Sequence, residues 1–301
     1  MIDRRTFIAA GAGAVFAAGC RSAAPRKAAP SRPASLHADD RFEAIRSTLG
    51  PGGRLGVAAI DTGSGRELRF DSDSRYAMAS TFKFPLAAAM LSLADLGEVP
   101  LDEKLPIPPG PLLDHSPAVE RYRQEGSLSV ARLCSAVVEL SDNSAANMLL
   151  RRIGGPEALT RFIRSCGDTV TRLDRFEMEL NSNLPGDPRD STSPAAMAGL
   201  ARTLVLGERL SEQSRRHLST WLTKAVPGAD RLKAGLPSPP WLVGHKTGTG
   251  ANGAVNDVAV GWRSGRPPVV IACYQSGGDA GPQVRAAAHA AVGKLVAETF
   301  A

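Results

Sequence analysis

The sequence predicts an α/β fold of the α+β type: one antiparallel sheet flanked by helices, built from both chain ends, with an all-helical lobe inserted between them. Three observations lead there. Strand patterns gather near the two ends of the folded part, helical patterns fill the stretch from residue 80 to 219, and no internal repeat divides the chain. A length of 301 residues, 43% hydrophobic and 22% charged, suits one large core or two lobes and excludes a disordered, collagen-like or disulfide-scaffold chain.

Residues 39–50 read as a helix stopped by Gly50-Pro51-Gly52-Gly53. Residues 55–61 and 67–70 read as strands joined in a hairpin by Thr62-Gly63-Ser64-Gly65-Arg66. Helices are predicted over 84–96, 129–140, 145–153, 157–166, 194–206 and 212–224 from their apolar spacing. Strands return at 241–249, 255–263 and 268–275, followed by an Ala-rich helix from Gln283. This divides the folded part, 37–301, into a sheet lobe (37–74 and 225–301) and a helical lobe (75–224), with the cleft between them as the natural site.

The 36 Lys+Arg and 30 Asp+Glu leave a net charge of +6. Arg4, Arg5, Arg21, Arg26, Lys27 and Arg32 stand against only Asp3 in the first 36 residues, so the rest is close to neutral. Without a basic run interleaved with aromatics, a nucleic-acid partner is excluded. Asp3-Arg4-Arg5-Thr6-Phe7-Ile8 followed by a small apolar run describes an export leader, and its uncharged stretch is short of the ~20 residues that span a bilayer. The twin arginines resemble a Tat signal, which directs folded proteins to the periplasm. Ala17-Ala18-Gly19-Cys20 resembles a lipoprotein cleavage site, although Ala17 replaces the commoner leucine. Membrane attachment is therefore expected only through a lipid on Cys20. Residues 1–36 are assigned to leader and tether. The remaining Cys134, Cys166 and Cys273 allow at most one disulfide, match no metal spacing and read as core thiols. No metal or cofactor is expected, and the domain is expected to be a monomer.

Ser80-Thr81-Phe82-Lys83 puts a hydroxyl and an ammonium three residues apart, on one face if a helix starts near Ser80. The lysine could take the hydroxyl proton when neutral and stabilise the alkoxide when charged. A plain N-cap explains the serine equally well, and S-x-x-K should arise about 0.6 times by chance in such a chain, so alone it decides nothing. Ser141-Asp142-Asn143 again reads as a cap, or as a proton-passing hydroxyl beside a carbonyl-binding amide. Lys246-Thr247-Gly248-Thr249-Gly250 offers a lysine and two threonines on a strand whose glycine permits close approach, suited to an anionic, peptide-like substrate docked by β-pairing. K-T-G has a chance expectation of only ~0.03.

In this order the three motifs resemble the penicillin-recognising serine enzymes, and more narrowly the class A β-lactamases, over nearly all of residues 39–301. The narrowing rests on Arg175-Phe176-Glu177-Met178-Glu179-Leu180-Asn181, within a long loop running to Asp190 that is similar to the family's Ω loop. The resemblance implies Ser80 as nucleophile with Lys83 in its activating network, Ser141 as the relay to the departing lactam nitrogen, and Asn143 on the substrate's side-chain amide. Glu177 and Asn181 would hold the water that attacks the acyl-enzyme; Arg175 and Asp190 would tie the loop ends. Lys246, Thr247 and Thr249 would bind the substrate carboxylate, supported by Arg231. The Thr249 and Ser80 amides would form the oxyanion hole beside Gly248. Whether Lys83 or Glu177 is the acylation base stays open.

The sequence departs from the family at several places. Met178 stands where many relatives have proline after the glutamate, at a peptide that is cis in the family, which leaves both geometries open. Phe176 replaces a tryptophan, and His115 takes the place of the aromatic that gates the site. His245 replaces an aspartate before the K-T-G and is expected to alter the field at Lys246. Cys134 matches a cysteine that pairs in several relatives, but its partner position is Ala87. The expected activity is hydrolysis of penicillins and cephalosporins. The alternatives are a DD-peptidase or transpeptidase acting on D-Ala-D-Ala ends, which lacks the Glu177–Asn181 pattern, and a β-lactam sensor that stays acylated, which needs a membrane-signalling region.

Overall fold

The computed structural model describes residues 35–36 and 40–301; the leader, Cys20 and most of the tether lie outside the described residues. The six-stranded sheet runs β1 (Ser35–Leu36), β3 (Glu67–Phe70), β2 (Arg54–Asp61), β10 (Arg266–Ser276), β9 (Val255–Arg263) and β8 (Trp241–Thr249). Both ends of the described chain supply it, as expected. One pairing departs from the antiparallel expectation: β1 lies parallel to β3, through Ser35↔Glu67 and Leu36↔Leu68. A two-residue strand carries no periodicity to read. The expected hairpin joins β2 to β3, and Gly63 is required there because a Cβ would fall 2.5 Å from Pro267.

Both faces of the sheet are covered, which explains why β2 and β10 read as unbroken apolar runs. Successive side chains point to opposite faces. Ala58, Ile60, Val258, Val260, Ala272 and Tyr274 therefore join one core, and Val57, Ala59, Ala259, Ile271 and Cys273 another. The second core is closed by α1 (Asp40–Ser47), α9 (Leu232–Gly235) and α10 (Pro282–Thr299). The first continues into the helices inserted between β3 and β8: α2 (Lys83–Asp95), α3 (Pro117–Arg121), α4 (Val130–Ser135), α5 (Asn143–Ile153), α6 (Pro156–Ser165), α7 (Pro194–Leu206) and α8 (Glu212–Thr223). At their centre α2 is buried continuously from Lys83 to Ser92, as an all-round apolar helix must be. Truncating its fully buried Leu86 to alanine would cost about 2–5 kcal/mol.

Four short strands escape sequence periodicity: β4 (Tyr76–Ala77) pairs with β7 (Ser191–Thr192), and β5 (Lys104–Pro106) with β6 (Ser127–Ser129). Two helical expectations need correction. The predicted helix 129–140 is α4 followed by a π-helical turn, Ala136–Leu140, which ends at Ser141 with φ 61°. A wider turn of this kind redirects the chain beyond it. Ser80 does not begin an α-helix either; it sits in a 3-10 turn, Ala79–Phe82, and α2 starts at Lys83.

Candidate active site

Ser80 is placed by close packing of its turn against β8. A Cβ at Gly248 would lie 2.7 Å from the Met78 carbonyl oxygen and 3.1 Å from the Ser80 nitrogen, so only glycine lets the strand approach this backbone. Asn256 on β9 fixes the turn from beneath, donating from Nδ2 to the carbonyls of Ala77 and Met78. Neither Ser80 nor Thr81 caps α2; Thr81 Oγ1 donates to Met78 O at 2.8 Å.

From the first turn of α2, Lys83 Nζ donates to Ser80 Oγ at 3.0 Å, to the Ser141 carbonyl at 2.9 Å and to Asn143 Oδ1. It also lies 2.9 Å from Glu177 Oε1. Burial pushes its pKa down, and the Glu177 carboxylate opposes that only in part. Lys246 approaches from the other side, donating to Ser141 Oγ at 3.0 Å and to its neighbour's carbonyl, Thr247 O. Burial, reinforced by the Lys83 charge, pushes Lys246 well below the ordinary lysine range. Ser141 thus has one buried lysine on its carbonyl and another on its hydroxyl.

The cap reading of Ser141-Asp142-Asn143 holds at Asp142. Asp142 caps α5, accepting from Ala145 N, and its other oxygen accepts the Ala118 and Val119 amides that open α3. Its neighbours are thereby left facing Lys83 and Lys246. The long loop brings Glu177 to the same place. Glu177 is 4% exposed, its Oε2 accepts from Asn181 Nδ2 at 2.6 Å, and its peptide with Met178 is cis. Its Oε1 is paired in charge with Lys83 yet, like Asn181 Oδ1, accepts no protein hydrogen bond among the described residues. The loop ends are tied as the resemblance implies: Arg175 Nε donates to Asp190 Oδ2 at 2.6 Å, and the Asp174 and Arg175 amides donate to Oδ1.

At the far end of β8, Arg231 donates to Gly248 O, Asn256 O and Thr249 Oγ1, so it braces the K-T-G strand on its open side. Thr247 is buried and Thr249 exposed. His115 has φ 57°; its ring Nε2 lies 2.8 Å from Leu140 O and its carbonyl accepts the Asn143 amide. One expectation fails. His245 does not face Lys246, because adjacent strand residues point oppositely. Its Nδ1 lies 3.1 Å from buried Asp257, beside α9. Burial pushes the Asp257 carboxyl up, but His245, His289 and Arg231 together hold it below the ordinary range. Cys134, Cys166 and Cys273 are free thiols.

One contributor was missed from sequence. Asn147 donates to Glu177 O at 2.9 Å and accepts from Glu177 N at 3.0 Å, gripping both sides of that residue's backbone. Its signal was available: Asn143 and Asn147 are four apart and share a face of α5.

A serine hydroxyl touched by a buried lysine whose pKa is pushed down, with a buried carboxylate beside it to polarise water, is the equipment of hydrolases that work through an acyl-enzyme. The comparisons narrow that class. Residues 40–300 match the β-lactamase enzyme family. The chain is 45% identical over 238 residues to β-lactamase AST-1 of Nocardia asteroides, covering 79% of this chain and 76% of that one. It is 41% identical over 301 residues to β-lactamase L2 of Stenotrophomonas maltophilia, covering 98% of each. Among solved structures, the ancestral GNCA class A β-lactamase aligns with a TM-score of 0.84 at 48% identity, covering 87% of this chain and 99% of that one. The chain belongs to the class A β-lactamases.

Proposed function

We infer that this enzyme hydrolyses the β-lactam amide of penicillins and cephalosporins, giving antibiotic resistance, and that the residues gathered around Ser80 carry the reaction. The observation that carries this is Glu177, buried, held by Asn181 and Asn147, and 2.9 Å from the lysine that touches the nucleophile. Ser80 Oγ attacks the lactam carbonyl carbon while its proton passes into the Lys83–Glu177 pair. The oxyanion is held by the Ser80 and Thr249 amides. The C–N bond then breaks, and the nitrogen takes a proton from Ser141, whose hydroxyl Lys246 steadies and whose lost proton is replaced by the one held in the Lys83–Glu177 pair, leaving Glu177 ionised. Glu177 next removes a proton from water, which attacks the ester carbon; Ser80 recovers its proton as the opened acid leaves. Lys246, Thr247, Thr249 and Arg231 supply the positive, hydrogen-bonding end for the substrate carboxylate, Asn143 takes the side-chain amide, and His115 lines the entrance.

Mass spectrometry with benzylpenicillin tests the reading. Wild type should turn over with little lasting adduct, Glu177→Ala should accumulate a Ser80 adduct, and Ser80→Ala should not react. A persistent wild-type adduct would indicate a DD-peptidase or sensor instead. Class A β-lactamases are generally exported. The leader's twin arginines support Tat export to the periplasm, Cys20 is the candidate lipidation site, residues 37–301 form the monomeric catalytic domain of a sheet lobe and a helical lobe, and a Cys20→Ser variant released from membranes would test the anchor.

A further inference from the structure

Asn143 is engaged on every side. Its Oδ1 accepts from Lys83 Nζ, so Nδ2 points the other way. One Nδ2 hydrogen goes to the Asp114 carbonyl at 2.7 Å, and the other to the thioether of Met178, with Sδ 3.0 Å away. No donor on this amide is left for a substrate. The two acceptors differ in how firmly they are held. Asp114 O belongs to the backbone, whereas Met178 is 42% exposed and its sulfur, on an unbranched rotatable chain, is a weak acceptor. An incoming carbonyl oxygen can therefore reach Asn143 by displacing the sulfur and nothing else.

We propose that Met178 is a specificity-determining residue: its thioether caps Asn143 Nδ2 and is exchanged for the side-chain amide carbonyl of the substrate, so that it disfavours β-lactams carrying an acylamino side chain relative to those without one. The proposal rests on the β-lactamase reading above. It acts on free enzyme, so releasing the cap raises kcat/KM for the affected substrates by the share of molecules it had occupied.

The test compares kcat/KM for benzylpenicillin, which has the side-chain amide, with 6-aminopenicillanic acid, which has the same bicyclic ring and no side-chain carbonyl. Met178→Leu keeps apolar bulk and removes the acceptor; the benzylpenicillin to 6-aminopenicillanic acid ratio should rise about twofold to fivefold, the effect of freeing one weak internal hydrogen bond. Met178→Gln offers a stronger acceptor and should lower that ratio. Taking the ratio cancels damage to the loop that affects both compounds alike. A ratio unchanged in both variants, or moved in the same direction by both, overturns the proposal. If wild type hydrolyses neither compound, the β-lactamase reading itself fails; normal wild-type turnover with flat ratios sinks only the role of Met178.

Discussion

Removing the Asp190 carboxylate should open the loop that carries Glu177. Asp190 is fully buried and accepts from Asp174 N at 2.7 Å, Arg175 N at 2.9 Å and Arg175 Nε at 2.6 Å. Asp190→Ala strands two main-chain donors and one guanidinium. Each orphaned donor costs about 1–3 kcal/mol, and breaking a buried ion pair costs about 3–5 kcal/mol. Arg175 recovers part of this, because Asp187 Oδ2 is 3.8 Å away. The closed loop should thus lose at least about 3–4 kcal/mol, a factor of roughly 10²–10³ or more in its opening equilibrium. The amide to watch is that of Glu177, whose acceptor Asn147 is untouched by the substitution. Hydrogen exchange there should accelerate by that factor, and the acyl-enzyme formed with benzylpenicillin should live correspondingly longer. Asp190→Asn keeps Oδ1 for the two amides and should fall between the variant and wild type. Exchange at Glu177 within threefold of wild type in Asp190→Ala, with an unchanged acyl-enzyme lifetime, would refute the reasoning.

Gly248→Ala drives a methyl group to within 2.7 Å of Met78 O, a backbone atom, so the Ser80 turn must shift. Acylation by benzylpenicillin, followed by stopped flow, should slow at least tenfold, since misplacing a nucleophile by a fraction of an ångström is costly. His289 is buried and its pKa pushed down to about 4 by that burial. The unfolded chain protonates this imidazole near pH 6.5 and the native protein only near 4, so native stability falls as the pH drops through that window, by about 3 kcal/mol in all. Urea unfolding of wild type and His289→Gln at pH 7 and pH 4.5 should show this slope in the difference between them; equal pH dependence of the two would remove His289 as its source.

Much of the site was legible because its chemistry is local in sequence. Ser80 and Lys83 are one turn apart, and Glu177 and Asn181 occupy one loop, so the short motifs that carry the family resemblance mark them before any fold is known. What spacing could not give was direction. The π-helical turn that sends Ser141 between the two lysines is one residue wider than the helix its sequence suggests. His245 was misplaced for a simpler reason: strand alternation sends it and Lys246 to opposite faces, a rule available from sequence. Asn147 was hidden because it binds a main chain thirty residues away, and main-chain partners leave no pattern. The parallel seat of β1 belongs to the same kind, two residues whose pairing is decided entirely by β3.

The sheet's order also sets a clock. Its central neighbours, β2 and β10, come from opposite ends of the folded chain, and Thr62 bonds to Pro268 across 206 residues. At ordinary synthesis rates the ribosome takes about 10–40 s to make that much chain. Throughout that interval β2, apolar on both faces, has its hairpin partner β3 and α1 but neither β10 nor α10, which with α9 completes the second core. The nascent enzyme therefore carries an uncovered strand edge, open to pairing with other strands, until β10 appears.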